Sequence, residues 1–229
     1  MIIPSIFIAV VANLYLLFSS SFFLDNAKFP YELAPAGECS PFQDISSTGT
    51  KIEPPLEDDD YKEIPLGDNI FTFYTTPVQE NKVFLSSNGY LSFLPNPDYT
   101  DSIAKPIPDS SKYPDNFIAP FWTDLDPEEG GNIYYRITST EFIAQWSGIP
   151  PYFNSTDAPP DDTNTFQASL SFETGAIEFR YAELTDPRLD RLTIGVENVN
   201  GDRGLSIPTQ DILAGTTTCV KIVNLAVNS

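Results

Sequence analysis

A two-residue alternation of apolar and polar side chains over residues 165–181 is the feature that most constrains the fold of this chain. Apolar side chains occupy every second position on both sides of Thr174-Gly175: Phe166, Ala168, Leu170, Phe172, Ile177, Phe179 and Tyr181. Successive side chains of a β-strand point to opposite faces of the sheet. The pattern therefore predicts a hairpin closed by a two-residue turn at Thr174-Gly175, with one buried face and one face in water.

The composition extends this prediction to the whole chain. Aromatic residues make up 13% of the sequence and 21 prolines interrupt it, which favours short strands over long helices. With 229 residues and 41% hydrophobic content the chain can bury one sizeable core. We expect an all-β, antiparallel β-sandwich over residues 64–229, preceded by an apolar leader or strand at residues 1–24 and an extended lead-in at residues 25–63.

Residues 116–136, NFIAPFWTDLDPEEGGNIYYR, stand at the centre of this organisation. An apolar run ends at Trp122, an acidic turn follows, and Gly130-Gly131 lets the chain reverse into an aromatic segment. The stretch predicts a buried strand, an acidic loop and a returning partner strand. Asn88-Gly89 predicts a second hairpin with a type I′ turn, in which both central residues take positive φ.

Five segments occur here in an order that resembles a known family. They are VFLSSNGYLSF, FIAPFWTDLDPEEGGNIYYR, FIAQW, TFQASLSFETGAIEFRY and TIGVEN. Together they resemble the NIDO domain, an extracellular module of nidogen and of mucin-like and other cell-surface proteins, over residues 64–208. The resemblance implies a secreted β-sandwich that acts in adhesion or as a structural module without catalysing a reaction.

Two cysteines, Cys39 and Cys219, lie near the two ends of the predicted folded region. In an oxidising compartment they predict one disulfide that ties the lead-in to the last strand. Two unpaired structural thiols are the alternative.

Residues 1–24 contain no charged side chain. Their length suits a cleaved secretory signal peptide, with small residues near Ser19 for the peptidase, or an uncleaved membrane anchor. The segment is also rich in β-favouring residues, so it could instead add as a strand to the sheet of another subunit. The residues that would make such an assembly strand are Ile6, Phe7, Ile8, Val10 and Val11.

The charge balance excludes whole classes of function. The formal net charge is -20, which repels nucleic acid and anionic lipid alike. The chain has no histidine, so a Ser-His-Asp or Cys-His mechanism cannot operate within it. A glycosidase needs only paired carboxylates, but no pair stands out by an apolar setting. We therefore expect no enzyme, with a secreted glycosidase as the remote alternative.

Carboxylates of the acidic turn form the one candidate metal site. Asp124, Asp126 and Glu128 offer hard oxygen ligands at alternating positions, which suits Ca²⁺. The alternative is a solvated turn with local capping, and Pro127 within the turn favours it. The carboxylate run at residues 57–60 is expected to be a solvated loop.

One proline-rich loop contains the residues that could carry a glycan or bind sugars. Asn154 begins an intact Asn-Ser-Thr acceptor for a glycan, and Tyr152 and Phe153 could stack on sugar rings. The main functional prediction is an extracellular structural or adhesion protein that assembles head to tail with itself into a filament or matrix. A carbohydrate-binding or cell-adhesion module is the alternative, with matrix proteins, cell-surface proteins or glycans as partners.

Overall fold

The structure is a computed structural model that describes residues 30–35, 37–74, 76–78, 81–94, 103–153, 162–185, 191–213 and 219–225. Within these ranges the chain forms fifteen strands and one four-residue helix, α1 (Gln210–Leu213). The strands are β1 (Tyr31–Leu33), β2 (Thr50–Lys51), β3 (Tyr61–Pro65), β4 (Thr72–Phe73), β5 (Thr76–Pro77), β6 (Lys82–Ser86), β7 (Leu91–Ser92), β8 (Phe117–Trp122), β9 (Asn132–Ile137), β10 (Glu141–Ile149), β11 (Asn164–Ser171), β12 (Ile177–Glu183), β13 (Thr193–Glu197), β14 (Gly204–Ser206) and β15 (Cys219–Asn224). No helix in the described part of the chain has the length and apolar character needed to cross a bilayer.

Two antiparallel sheets contain most of these strands. Sheet A has the order β1-β15-β12-β11-β10-β9-β2, sheet B has the order β14-β13-β8-β7-β6-β3, and β4 and β5 form a separate two-stranded sheet. The predicted all-β antiparallel sandwich is confirmed. Three of its strands, β1, β2 and β3, lie within or begin in residues 25–63, the segment that the sequence assigned to a lead-in.

Large aromatic side chains fill the space between the sheets. The ring of Phe166 in β11 lies 4.9 Å from that of Trp146 in β10 and 5.2 Å from that of Phe121 in β8, centroid to centroid. The indole Nε1 of Trp146 donates to the carbonyl of Ser86 in the opposite sheet at 2.9 Å. Each fully buried aromatic side chain contributes roughly 1.5–3 kcal/mol through removal of its apolar surface from water. This layer joins the two sheets.

The predicted hairpin over residues 165–181 is present as β11 and β12, with two differences. Leu170 pairs with Ile177, and the Ser171 N–H donates to the Ala176 carbonyl at 2.9 Å, so the loop is residues 172–175. The predicted two-residue turn is wrong, because the ladder ends before Thr174 is reached. The predicted wet face is also wrong: Gln167, Ser169 and Arg180 are buried.

Residues 43–45 cause this second difference because they cross the outer face of sheet A. The Gln167 side chain donates to the carbonyl of Gln43 at 2.7 Å. The N–H of Ile45 donates to Gln145 Oε1 at 2.9 Å, and Gln145 Nε2 donates to Asp44 Oδ1 at 2.7 Å. Ile45 itself is fully buried. Polar side chains on this face therefore bind a covering segment of the chain and not water.

Residues 103–115 cover the outer face of sheet B in the same way. Ile107 packs with Tyr90, Phe117, Ala119 and Trp122 in one buried cluster. The cluster members that belong to β8, namely Phe117, Ala119 and Trp122, lie on the face of the strand opposite Ile118 and Phe121. Because both faces of β8 are covered, all six of its residues are buried.

The central stretch does not return to its own sheet. β8 pairs with β7 and β13 in sheet B, whereas β9 pairs with β10 and β2 in sheet A. The prediction of a returning partner strand is wrong, because each strand finds its partners elsewhere in the chain. The acidic turn is a crossover from one sheet to the other.

The turn at Asn88-Gly89 also differs from its prediction. Only Gly89 has a positive φ, at 78°, and the Ser86 N–H donates to the Tyr90 carbonyl at 3.0 Å across a three-residue loop. A type I′ turn is therefore wrong. A Cβ at Gly89 would collide with the Phe121 carbonyl oxygen, so the close approach of β8 also requires glycine.

The disulfide between Cys39 and Cys219 is present, as predicted, and it closes a loop of 180 residues. It fixes the lead-in beside β15. We expect replacement of both cysteines by serine to lower the free energy of unfolding by up to about 5 kcal/mol, because the unfolded chain regains the entropy of an open loop.

Urea denaturation of the double variant and of the oxidised wild type would measure this loss, with the reduced wild type as the matched control. The reduced wild type should lose as much stability as the variant. An unchanged denaturation midpoint in both would contradict the role of the disulfide.

Candidate functional site

Asn88 connects the acidic turn to the segment before β3. Its Oδ1 accepts from the Leu125 N–H at 2.8 Å, and its carbonyl accepts from the Thr123 N–H at 3.3 Å. Its Nδ2 donates to Asp59 Oδ1 at 2.6 Å. The side chain is fully buried. Asn88 therefore holds two acidic segments that are far apart in sequence against each other.

Three carboxylates meet at this connection. Single oxygens of Asp58, Asp59 and Asp124 lie within 4.8 Å of one another, and all three residues are half-buried. Burial, followed by the negative charges of Asp59, Asp126 and Glu128, raises the pKa of Asp58 to about 6. The fold thus holds these carboxylates close together, and Asp58 ionises less readily as a result. We call Asp58, Asp59 and Asp124 the acidic cluster.

The predicted calcium ligands divide between this cluster and the turn itself. Asp124 belongs to the acidic cluster. Asp126 Oδ1 accepts from the Glu128 N–H at 2.9 Å, and Glu128 Oε2 accepts from the Asp58 N–H at 3.2 Å. The three residues do not share one centre, and calcium binding stays a prediction. Residues 58–60 are half-buried, so the expected solvated loop is solvated only in part.

A second group of charged side chains, centred on Lys105, holds residues 103–115 against sheet B. The Nζ of Lys105 lies 2.5 Å from Glu197 Oε1 and 3.0 Å from Asp115 Oδ1. It also donates to the carbonyls of Asp109 and Lys112 at 2.9 and 2.7 Å. Lys105 is 2% exposed and Glu197 is fully buried. A cation with four partners anchors the loop that covers Phe117 and Trp122.

Sequence reasoning missed this group. Lys105 and Lys112 both lie in a proline-rich loop, and nothing local distinguishes the buried lysine from the exposed one. Glu197 comes from β13, far along the chain, and its placement depends on the sheet order.

The edge of sheet B at β14 borders a cavity of about 340 Å³. The cavity lies between residues 104–107, the start of β13 and residues 206–210. Its exposed lining is mainly polar, with Arg191, Thr193, Ser206 and Gln210 beside Ile107, Ile194 and Ile207. We call it the edge cavity.

The outer strand of sheet A lies on the same side of the molecule as β14. Tyr31, at the start of β1, accepts from the Tyr74 N–H through its hydroxyl at 3.0 Å. The Tyr74 hydroxyl donates to the Arg203 carbonyl, beside β14, at 2.9 Å. Tyr74 therefore links the two edges. Three exposed large apolar residues are close to these segments in sequence: Leu33 in β1, Ile70 shortly before Tyr74, and Val199 between β13 and β14.

The remaining predicted sites lie largely outside the described residues. These are the glycan acceptor Asn154 and the assembly residues Ile6, Phe7, Ile8, Val10 and Val11. Tyr152 and Phe153 are described and half-buried, and the Tyr152 N–H donates to the Asp124 carbonyl at 2.8 Å. Their predicted role in sugar binding is untested.

Comparison with known families identifies the family of this chain. A family model described as "NIDO related" matches residues 31–226. The matched region includes all fifteen strands. Comparisons with curated proteins and with solved structures give no match.

The raised pKa of Asp58 predicts a pH-dependent gain in stability for Asp58→Asn. A carboxyl with a folded-state pKa of about 6, above its ordinary value of 3.8, stabilises the fold below pH 4 and loses this contribution as the pH rises through 6. Because the side chain is only half-buried, we expect a gain of about 1 kcal/mol at pH 7.5 and none at pH 3.5.

Thermal unfolding at both pH values would measure this difference, with Asp68→Asn at an exposed carboxylate as the control. Equal shifts for the two variants would contradict charge crowding in the acidic cluster. Added Ca²⁺ provides a further comparison, because an ion that binds there would raise the melting temperature of the wild type more than that of Asp58→Asn.

The buried lysine predicts a large loss for Lys105→Met. Removing the cation leaves Glu197 and Asp115 buried without their partner, which typically costs about 3–5 kcal/mol. The exposed Lys112→Met, seven residues away, should change the free energy of unfolding by no more than about 0.5 kcal/mol.

Denaturant unfolding would measure both variants. Glu197→Gln combined with Lys105→Met should recover part of the loss, since it removes the unpaired charge. If Lys105→Met costs no more than Lys112→Met, the lysine does not anchor the loop.

Proposed function

Since this chain belongs to the NIDO-related family, we propose that it is an extracellular structural protein that assembles with itself through its apolar N-terminal segment. The family and the disulfide indicate an extracellular protein, because disulfides form and persist in oxidising compartments. Assembly and a non-catalytic role are the parts of this proposal that go beyond the family. The proposed product is a filament or matrix.

One observation carries the proposal: two end strands, β1 of sheet A and β14 of sheet B, are linked through Tyr74, and β1 carries the exposed Leu33. Residues 1–24 precede β1 closely in sequence and contain no charge. An extended segment of this composition can add to an open sheet edge, where main-chain hydrogen bonds provide affinity. Addition of one copy's segment to the next copy's sheet does not close on itself, so it produces a fibre.

The net charge supports contact through this segment. Two bodies that each carry -20 repel one another, and the repulsion is screened by salt. An uncharged segment can approach another copy at a lower electrostatic cost than any acidic part of the surface. The proposed assembly should therefore become faster at high ionic strength and near the sequence pI of about 4.1.

The alternative is a carbohydrate-binding or cell-adhesion module that works without residues 1–24. It would use Tyr152 and Phe153, which follow β10, and its glycan binding would saturate and be lost in Tyr152→Ala. The remote alternative, a secreted glycosidase, would need turnover that a single carboxylate substitution abolishes. Neither alternative requires assembly.

Residues 1–24 are predicted to control polymerisation. We expect the full chain to form filaments, and a chain that starts at Asp25 to remain monomeric with the same circular dichroism spectrum. In the full chain, Ile8→Lys with Val10→Lys should block polymerisation, because each charge must be desolvated in the contact. The matched control, Ile8→Val with Val10→Ile, keeps the apolar character and should polymerise.

Sedimentation and electron microscopy would follow assembly, and intact mass would establish the N-terminus of the native protein. Polymerisation of the Asp25 chain at the wild-type rate would refute the proposal. A native protein that begins after residue 24 would also refute it and favour the module that acts without the segment.

A further inference from the structure

We infer that β14 is the acceptor edge, to which the apolar N-terminal segment of a second copy adds as a strand, placing one of its side chains in the edge cavity. This inference rests on the proposed function and names the surface that it uses. It follows from the chemistry of the sheet edges, from the direction of the backbone groups of β14 and from the position of the cavity.

The other edges of the two sheets are protected by charge. Natural proteins block edge strands with charged side chains, proline and short strand length. β3 has exposed Lys62 and Glu63 and ends at Pro65, which has no N–H. β2 has two residues and includes Lys51. β1 has an exposed Glu32.

β14 is also short, with three residues, but it has neither a charged side chain nor a proline. Its residues are Gly204, Leu205 and Ser206. In the described chain it is the one end strand of sheets A and B that is uncharged. An uncharged donor segment can therefore pair with it without burying an unpaired charge.

The open backbone groups of β14 follow from the ladder that it forms with β13. The Ile207 N–H donates to the Ile194 carbonyl at 2.8 Å, and the Asn198 N–H donates to the Arg203 carbonyl at 2.9 Å. Hydrogen-bonded and non-hydrogen-bonded pairs alternate along an antiparallel ladder. The backbone N–H and carbonyl of Leu205 therefore point toward β13. Gly204 and Ser206 direct their N–H and carbonyl groups away from the sheet. These are the groups that an added strand would bind.

The edge cavity gives this strand a fixed position. It begins beside Ser206, the last residue of β14, and its volume of about 340 Å³ lies near the lower end of the range for small-ligand pockets, ~300–1,000 Å³. This volume is large enough to admit an apolar side chain next to Ile107 and Ile194. Alternate side chains of a strand share a face, so the donor would offer Ile6, Ile8 or Val10 in turn.

A second copy is the occupant because of the charge and length of the segment. Residues 1–24 offer 24 uncharged positions against a three-residue edge, so several registers can reach the cavity without bringing the two acidic bodies together. The side chain of Val199, between β13 and β14, is exposed and would be available for further apolar contact.

Cysteine pairing between copies tests the contact directly. Cys39 and Cys219 are bonded to each other, so an introduced cysteine is the only free thiol of its chain. We expect full-length Ser206→Cys mixed with full-length Ile8→Cys to form a disulfide-linked dimer of the two variants under mild oxidation. Lys62→Cys on β3 is the matched control and should give at least 10-fold less of that product.

Two outcomes of the mixture would overturn the inference. Linkage of Ile8→Cys to Lys62→Cys in place of Ser206→Cys would assign the donor to the opposite edge. Absence of linkage in the mixture, with an internal disulfide when both substitutions are in one chain, would show that the segment adds to its own sheet.

Ser206→Pro tests the same contact through the backbone. Proline removes the outward N–H of Ser206, and an edge strand tolerates it where the N–H does not serve the ladder. We expect at least a 10-fold slower polymerisation with an unchanged melting temperature. Glu63→Pro is the matched control, because the ladder of β3 with β6 directs the Glu63 N–H outward in the same way.

The two proposals fail separately. If the lysine substitutions at Ile8 and Val10 block assembly but Ser206→Pro does not slow it and Ser206→Cys does not link, β14 is not the acceptor while assembly through the segment stands. If the lysine variant polymerises normally, the proposed function and this inference both fail.

Discussion

Two hydrogen bonds and two ion pairs of the Lys105 ammonium group hold residues 103–115 against the outer face of sheet B. A sheet that is buried on both faces needs a covering segment, and such a segment must satisfy its own polar backbone groups. Lys105 binds two carbonyls of its own loop and two carboxylates, one of them on β13. The loop can then lie over Phe117 and Trp122 as apolar cover. Without the cation, the same loop would bury two carboxylates with nothing to neutralise them.

On the outer face of sheet A, side-chain amides hold the covering segment, where charged groups do so on sheet B. Gln145 and Gln167 bind each other at 2.6 Å and also bind the backbone or side chains of residues 43–45. The disulfide at Cys39 fixes the neighbouring part of this segment. Both covering segments come from parts of the chain that have few strands. The proline-rich regions of the sequence are thus structural layers of the protein.

The sequence predicts the parts of this fold that depend on local pattern. Alternation identified β11 and β12, and the presence of only two cysteines identified the disulfide. It could not predict that Gln167 faces a carbonyl and not water, because a buried amide with partners and a solvated amide occupy the same position in the pattern. Nor could it predict that β8 and β9 enter different sheets, since strand partners are set by contacts that are distant in the chain.

The candidate sites, too, were predictable only where they depend on residues close together in sequence. Asp124 was identified from its own turn, but its neighbours Asp58 and Asp59 are more than sixty residues away and reach it through Asn88. The Asn88-Gly89 pair predicted a turn, and nothing in the sequence indicated that the Asn88 side chain makes buried hydrogen bonds. The three residues of β14 are too few and too ordinary for any pattern to indicate an edge.

Covering both outer faces has a consequence for how this protein can contact others. Residues 43–45 and 103–115 lie over middle strands of the two sheets, and the end strands are the parts whose backbone groups can pair with another chain. Charge at three edges makes pairing there costly for a protein that already carries -20, because each added copy brings the same repulsion. In the proposed assembly, the uncharged β14 and the uncharged segment of residues 1–24 would therefore pair at a lower desolvation cost than the segment would at a charged edge.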